Sequence, residues 1–321
     1  MMIPSDLGFE ERIAAACAEV QVWQGRAMRF TLAAAPVASP THRAVASDCV
    51  RVQVEGSGTV FLKVRHADME ADILPTMPEA TRRAGRLGLG PAVLVEAQGV
   101  LGLEDLSDPW RYARVGDLQD ADTMGQVLAA LRRLHDAEPL GQNFCPFARI
   151  TRLAEEARAC AAPLPDDIDS LLESAASMRA AIRAAGFDRA FCRNDGTASN
   201  IMLNPVPGGI VPGGVRLIDF DLAGDNDPWY EIGALLNEAY SFDAERRQAI
   251  EIYAGTYDER LFHRARLYGA VDDLMWGLWG ITRAITARRS GIEFFKYGQW
   301  RLLHARTTIA ARDFELWLRR L

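Results

Sequence analysis

Residues 191–233, FCRNDGTASNIMLNPVPGGIVPGGVRLIDFDLAGDNDPWYEIG, restrict the fold of this chain more than any other stretch. Asp195 is followed by Asn200, and Asp219 closes a short apolar run, Val215-Arg216-Leu217-Ile218. Two Gly/Pro clusters lie between them, Pro205–Gly209 and Pro212–Gly214. They predict that Asn200–Leu203 turns back on Val215–Phe220 as a hairpin. An aspartate and an asparagine then share one loop, and a second aspartate at the end of the neighbouring strand faces the same space. Such a set suits phosphoryl transfer to a hydroxyl. One carboxylate orients the hydroxyl and takes its proton, while an amide oxygen and a second carboxylate are hard ligands for magnesium on nucleotide phosphates. An Asp and an Asn at this spacing are more often a helix cap or loop residues. The pattern gains meaning only if the other parts of a phosphate site occur in order.

In chain order, residues 5–19 read as a helix capped by Ser5 or Asp6. Strands are predicted at Met28–Ala33, Ala44–Glu55 and Thr59–Arg65, the last two joined by Gly56-Ser57-Gly58. The loop Ala35–Arg43 stands where a phosphate-covering loop is expected; it has no glycine, but Ser39 and Thr41 can meet phosphate. Lys63 lies mid-strand between apolar neighbours, so it faces away from them, either into solvent or onto a ligand. Of 36 basic residues only Lys63 and Lys296 are lysines, so a retained lysine asks for a reason. A helix follows from Thr76 to Arg86, with Pro78 in its first turn. Its Glu79 complements the helix dipole or pairs with Lys63, and Glu70 competes for that pairing. Leu87-Gly-Leu-Gly-Pro91 ends the helix, strands at Ala92–Glu96 and Val100–Leu103 come next, and Glu104-Asp105-Leu106 forms a hinge whose backbone would meet adenine.

The remainder reads as helices at 122–136, 148–162, 168–186, 229–240, 244–255, 259–288 and 293–319. His135, at a helix C-terminus, reads as structural. Trp276 and Trp279 share a helix face, a spacing that more often belongs to a core.

At 321 residues the chain is long enough for two lobes. A net charge of −7 gives nucleic-acid binding no electrostatic support. The five cysteines are scattered and without CxxC spacing, which implies reduced thiols in a cytoplasmic protein, with no disulfide framework or zinc site. Residues 1–11 carry acidic side chains and no long apolar core, so no signal peptide is expected, and no apolar run reaches membrane-spanning length. Nothing in the sequence specifies an oligomer.

The ordered pieces resemble the choline/ethanolamine kinase branch of the aminoglycoside phosphotransferase-like, protein-kinase-like superfamily. They are the strand lysine, the helix glutamate, Leu-Gly-Leu-Gly-Pro, Leu-x-x-Leu-x-x-Leu-His, Asn194-Asp195-x-x-x-x-Asn200, Ile218-Asp-Phe-Asp221 and Trp276-Gly-Leu-Trp279. The similarity extends from about residue 25 to 305. It implies an α+β, two-lobed protein-kinase-like fold: an antiparallel-sheet nucleotide lobe over residues 1–106 and a helical catalytic and substrate lobe over 107–321. It implies ATP and Mg2+ as cofactors, with Asp195 as the base and Asn200, Asp219 and Asp221 at the metal. Lys63 and Glu79 would clamp phosphate, and Glu104 and Leu106 would sit at the adenine. Trp276, Trp279, Tyr297 and Glu238 would hold a cationic amino alcohol, since aromatic faces and a carboxylate suit a permanent cation. Related acceptors are thiamine or an aminoglycoside. Three departures stand out: Arg193 where the family's loop opens with histidine, Gly196 for a usual leucine, and Thr41-His42-Arg43 for Thr-Asn-Arg. Arg193 and the glycine-free loop are the features that favour a nucleotide-binding pseudokinase instead.

Overall fold

The computed structural model describes residues 7–40 and 42–321. The expected cap at Ser5 or Asp6, and Thr41, lie outside them. Helix α1 (Phe9–Glu19) begins at Gly8, whose N–H donates to the Glu11 carboxylate at 3.1 Å. Strands β1 (Met28–Ala34), β2 (Val37–Ser39), β3 (His42–Ala44), β4 (Ser47–Val54) and β5 (Gly58–Arg65) precede α2 (Met77–Arg86), and β6 (Val93–Ala97) and β7 (Val100–Glu104) follow it. β1, β4, β5, β7 and β6 form one sheet in that order, with every pairing antiparallel.

Strand alternation gives the sheet two different faces. Val60, Leu62 and Val64 of β5 join Val50 and Val52 of β4 beneath Ile13, Ala16 and Cys17 of α1. Phe61 and Lys63 therefore point to the opposite face, and both line a cleft. The segment 35–43, expected as an open loop, is the two-stranded hairpin β2–β3, which is not paired with the main sheet.

The second half is mainly helical. Strand β8 (Arg111–Tyr112) leads into α3 (Val115–Leu118), α4 (Ala121–His135), α5 (Pro146–Ala159) and α6 (Ile168–Ala185). Strands β9 (Ala190–Cys192), β10 (Ile201–Val206), β11 (Gly209–Leu217) and β12 (Gly224–Asn226) then carry the polar loop, before α7 (Pro228–Ala239), α8 (Asp243–Ala254), α9 (Glu259–Thr286), α10 (Phe294–Ile309) and α11 (Phe314–Arg319). This is the α+β kinase-like arrangement that the resemblance implies. Helix α9 is the central post, with α5, α7, α10 and α11 packed around it.

Two expectations need correction. The hairpin forms in the expected register, Ile201 opposite Leu217 and Leu203 opposite Val215, but only the first Gly/Pro cluster turns the chain. Pro212–Gly214 lies inside β11, in the break of register between the Leu203–Val215 and Pro205–Ile210 pairs. The long helix expected over 293–319 is two helices, α10 and α11, and the break lets Trp317 meet Phe262 edge-on at 6.4 Å. No helix among the described residues is long and apolar enough to cross a membrane.

Candidate active site

Short strands fix the loop that carries Asp195. β9 pairs antiparallel with β12, Cys192 opposite Gly224, so residues 193–223 leave and rejoin the same two-stranded ladder. Asn194 adopts a φ of 62°, uncommon for a residue with a side chain, and its environment holds it there. Its amide donates to the carbonyls of Leu222 (2.9 Å), Gly224 (3.1 Å) and Cys192 (3.2 Å).

Arg193 is fully buried and binds the backbone on both sides of the loop. Its Nη1 donates to the Asn200 carbonyl and, at 3.1 Å, to the Ile218 carbonyl. Its Nε and backbone N–H reach the two oxygens of Glu231 at 3.2 and 3.0 Å. One side chain thus ties together the backbones that position Asn200 and Asp219. Burial pushes the Glu231 carboxyl up, but the His135 hydrogen bond and the Arg193 charge outweigh it and hold Glu231 below its usual range. His135, between Glu231 (3.2 Å) and the Tyr253 hydroxyl (2.8 Å), is structural as expected. Gly196 also has a physical reason: a Cβ there would lie 2.4 Å from the Leu235 backbone nitrogen, so the loop rests directly on α7.

Asp195 accepts the Thr197 N–H at 3.1 Å through Oδ1 and a guanidinium N–H of Arg43 through Oδ2. Asn200 lines the cleft, and its buried amide nitrogen has no hydrogen-bond partner. Across the cleft, Lys63 Nζ sits 2.7 Å from Asp219 and 2.8 Å from Asp221. Burial works against the lysine's charge, yet the two aspartates hold it protonated. Burial raises both carboxyls as well; Lys63 pulls Asp219 below its usual value, while repulsion from Asp219 helps to push Asp221 up to about 7. Asp219 has a φ of 61°, a strained backbone that aims its side chain across the hairpin end. Two adjacent carboxylates already bridged by a cation, with the Asn200 side chain lining the same cleft, offer the oxygen donors that a hard divalent ion takes. The cleft has a cavity volume of about 100 Å³, and Glu104, Asp105 and Leu106 are part of its lining.

Glu79 is a correction. It lies on the outer side of α2, bonded to Arg82 (3.2 Å), Arg83 (3.0 Å) and Arg86 (3.0 Å), and does not meet Lys63. The helix phase decides this: Met77, Ala80, Thr81 and Ala84 take the buried face. Glu70 pairs with Arg65 at 3.2 Å, so neither glutamate pairs with Lys63. Thr76 also does not cap α2 with its side chain; its hydroxyl donates to the Ala223 carbonyl at 2.7 Å, fastening the helix start to the segment after Asp221.

The aromatic residues converge beside Asp195. Trp276 and Trp279 meet edge-on at 5.2 Å, and Trp279 meets Tyr297 at 6.0 Å. Trp279 is anchored, since its indole N–H donates to Asp72 at 2.8 Å, and Arg283 grips Asp72 at 2.8 and 3.0 Å. Trp276 instead presents its face to a cation: the Arg43 guanidinium carbon is 3.4 Å from the ring centroid. Tyr297 comes into reach because α9 and α10 cross on glycine. A Cβ on Gly280 would lie 2.7 Å from the Gly298 Cα, and one on Gly298 would lie 2.8 Å from the Gly277 carbonyl. Glu238 accepts the Ala198 N–H at 2.8 Å, and burial pushes its carboxyl up to about 7. Below it, Arg301 pairs with Asp272 and, at 2.9 Å, with Asp273.

Sequence reasoning missed Arg43, Arg301, Asp72 and Glu231. Arg43 had one available signal, its place in Thr41-His42-Arg43, but nothing local names its partners Asp195 and Tyr297.

A sheet lysine in a cleft with a loop asparagine and two aspartates after a hairpin, and a loop aspartate held by an arginine of that cleft, make up a kinase-like phosphotransferase architecture. The chain belongs to the phosphotransferase enzyme family, whose model matches residues 42–269. It is 27% identical over 212 residues to a probable choline kinase 1 of Arabidopsis thaliana, a match covering 57% of this chain and 59% of that protein. The aligned region thus spans little more than half the length of that curated relative. Among solved structures, it resembles a choline/ethanolamine kinase family protein from Mesorhizobium loti (TM-score 0.75, 18% identity, 97% of this chain and 98% of that one). It is also similar to choline kinase LicA from Streptococcus pneumoniae (TM-score 0.74, 17% identity, 94% and 99%).

Proposed function

We propose that this protein transfers the γ-phosphoryl group of ATP, with Mg2+, to the hydroxyl of a small cationic amino alcohol of the choline or ethanolamine type in the cytoplasm. In this reading residues 1–106 bind nucleotide and residues 107–321 supply catalysis and the acceptor site. The observation that carries it is a cation, the Arg43 guanidinium, lying on Trp276 and hydrogen-bonded to both Tyr297 and Asp195. A cation-binding aromatic face therefore adjoins the carboxylate that would hold a hydroxyl. The relatives' names, choline kinase and choline/ethanolamine kinase, agree with that acceptor. The structure of LicA in complex with AMP, similar to this chain at a TM-score of 0.70 and 15% identity, agrees with a nucleotide in the cleft.

The chemistry divides among the chain's own groups. Asp195 Oδ2 orients the acceptor hydroxyl and receives its proton as the phosphoryl group departs. Lys63 moves from its aspartates to the nucleotide phosphates, and Glu104–Leu106 line the adenine end. Asn200, Asp219 and Asp221 would hold the magnesium ion, which supplies charge neutralisation on the phosphates. Trp276, Trp279 and Tyr297 line the ammonium site and exclude water from it, and Glu238 adds negative charge. Most of the rate then comes from alignment and preorganised charge.

The test is ADP formation measured with choline, ethanolamine, thiamine and an aminoglycoside as acceptors. The reading expects turnover with the amino alcohols. Turnover confined to thiamine or the aminoglycoside moves the same chemistry to another cationic hydroxyl, and magnesium-dependent ATP binding with no turnover on any acceptor makes the chain a pseudokinase. Arg193's bonds to Glu231, Asn200 and Ile218 favour the active reading over that last outcome, because the arginine ties the loop in place.

A further inference from the structure

We propose that Arg43 is an internal cation that fills the acceptor's ammonium site until a nucleotide triphosphate draws it away, so that the acceptor binds second. This rests on the acceptor reading above and adds an order of binding to it. The contacts of Arg43 are those a cationic alcohol would need. Its guanidinium covers the Trp276 face at 3.4 Å, donates to the Tyr297 hydroxyl at 2.8 Å, and holds Asp195 Oδ2. An incoming ammonium requires the same aromatic face, and its hydroxyl requires the same carboxylate oxygen. Arginine and acceptor therefore exclude one another.

The surrounding charges support the exchange. The acidic groups grouped here are Asp195, Glu238, Asp272 and Asp273. Arg301 pairs with the last two. Arg43 is left to face Asp195, with Glu238 nearby. Its withdrawal frees the Asp195 carboxylate beside an aromatic face, which is what a cation needs, and a second cation arriving before then would meet a like charge.

The means of withdrawal lies in the same cleft. Arg43 is on β3, and it lines the cleft together with Lys63, Asp219 and Asp221. Phosphate oxygens engage a guanidinium by paired, charge-assisted hydrogen bonds, so a triphosphate in that cleft competes directly with Asp195 and Trp276. The β2–β3 hairpin is a separate two-stranded unit, and it can shift without breaking the ladder that holds Lys63.

Isothermal titration with choline, ethanolamine and tetramethylammonium, with and without magnesium and a non-hydrolysable ATP analogue, tests this. For the unmodified chain the analogue should tighten cation binding at least about tenfold, the factor by which an occupied site reduces apparent affinity. Arg43→Gln should bind the cations about equally in both conditions. Equal binding by the unmodified chain with and without the analogue overturns the proposal, as does a variant that keeps the nucleotide dependence. Steady-state inhibition gives a second measurement that needs no variant. Tetramethylammonium should be uncompetitive against ATP, and a noncompetitive pattern overturns the binding order while leaving the acceptor reading intact. No cation binding under any condition overturns both.

Discussion

Arg193 shows how much one buried side chain carries at this site. It is the counter-charge of a buried glutamate and the clamp on two backbone segments. Replacing it by methionine leaves the buried Glu231 carboxyl with only the His135 ring as a side-chain partner, so Arg193→Met should lose about 3–5 kcal/mol in urea unfolding. A loss under 1 kcal/mol would contradict this role. Glu238 sets a pH dependence. Its carboxyl is pushed up to about 7, so it is neutral below that pH and charged above it. The KM for a permanent cation should therefore fall roughly fivefold as pH rises from 6 to 8, the order of effect of one partly solvated opposite charge. Glu238→Gln should flatten that profile, and a flat profile in the unmodified chain would remove Glu238 from the cation site. At this scale the sequence was legible where partners are close along the chain, as with Asp195 and Asn200. It was not legible where they are far apart: Arg43 and Tyr297 are 254 residues apart, and Trp279 and Asp72 are 207 apart.

Among the elements, long periodic segments were readable and phase was the weak point. α4, α7 and α9 lie within a residue or two of their expected bounds because their apolar spacing runs over several turns. β8, β9 and β12 have two or three residues each, too few to show alternation, although β9 and β12 hold the loop that carries Asp195. Glu79 was legible in principle, since arginines three, four and seven residues on mark a shared outer face. The α9–α10 crossing invites an experiment of its own. Gly298→Ala places a methyl 2.8 Å from the Gly277 carbonyl and the Ile281 nitrogen, so α10 must move outward. Such overpacking typically costs about 1–3 kcal/mol. Because α10 carries Tyr297, the acceptor KM should rise several-fold while the KM for ATP stays nearly constant. Equal changes in both would mean that the crossing does not set the acceptor site.

For the whole molecule, residues far apart in sequence supply the two sides of one cleft. β5 brings a cation, the hairpin end brings two carboxylates, and the β9–β12 loop brings Asn200 and, behind Arg43, Asp195. The order of these parts along the chain carries the family resemblance, and it is that resemblance which implied the α+β architecture. The state of the cleft was not readable in that way. Lys63 meets aspartates where a helix glutamate was expected, and the aromatic site already holds a guanidinium. The central claim is that Asp195 activates an acceptor hydroxyl bound beside Trp276. Its most direct measurement is acceptor-dependent ADP formation from MgATP, comparing the unmodified chain with Asp195→Ala. The account expects turnover with choline or ethanolamine, and its loss by at least about a hundredfold in the variant, the usual contribution of a positioned base, with ATP binding kept. Undiminished turnover in Asp195→Ala would contradict it.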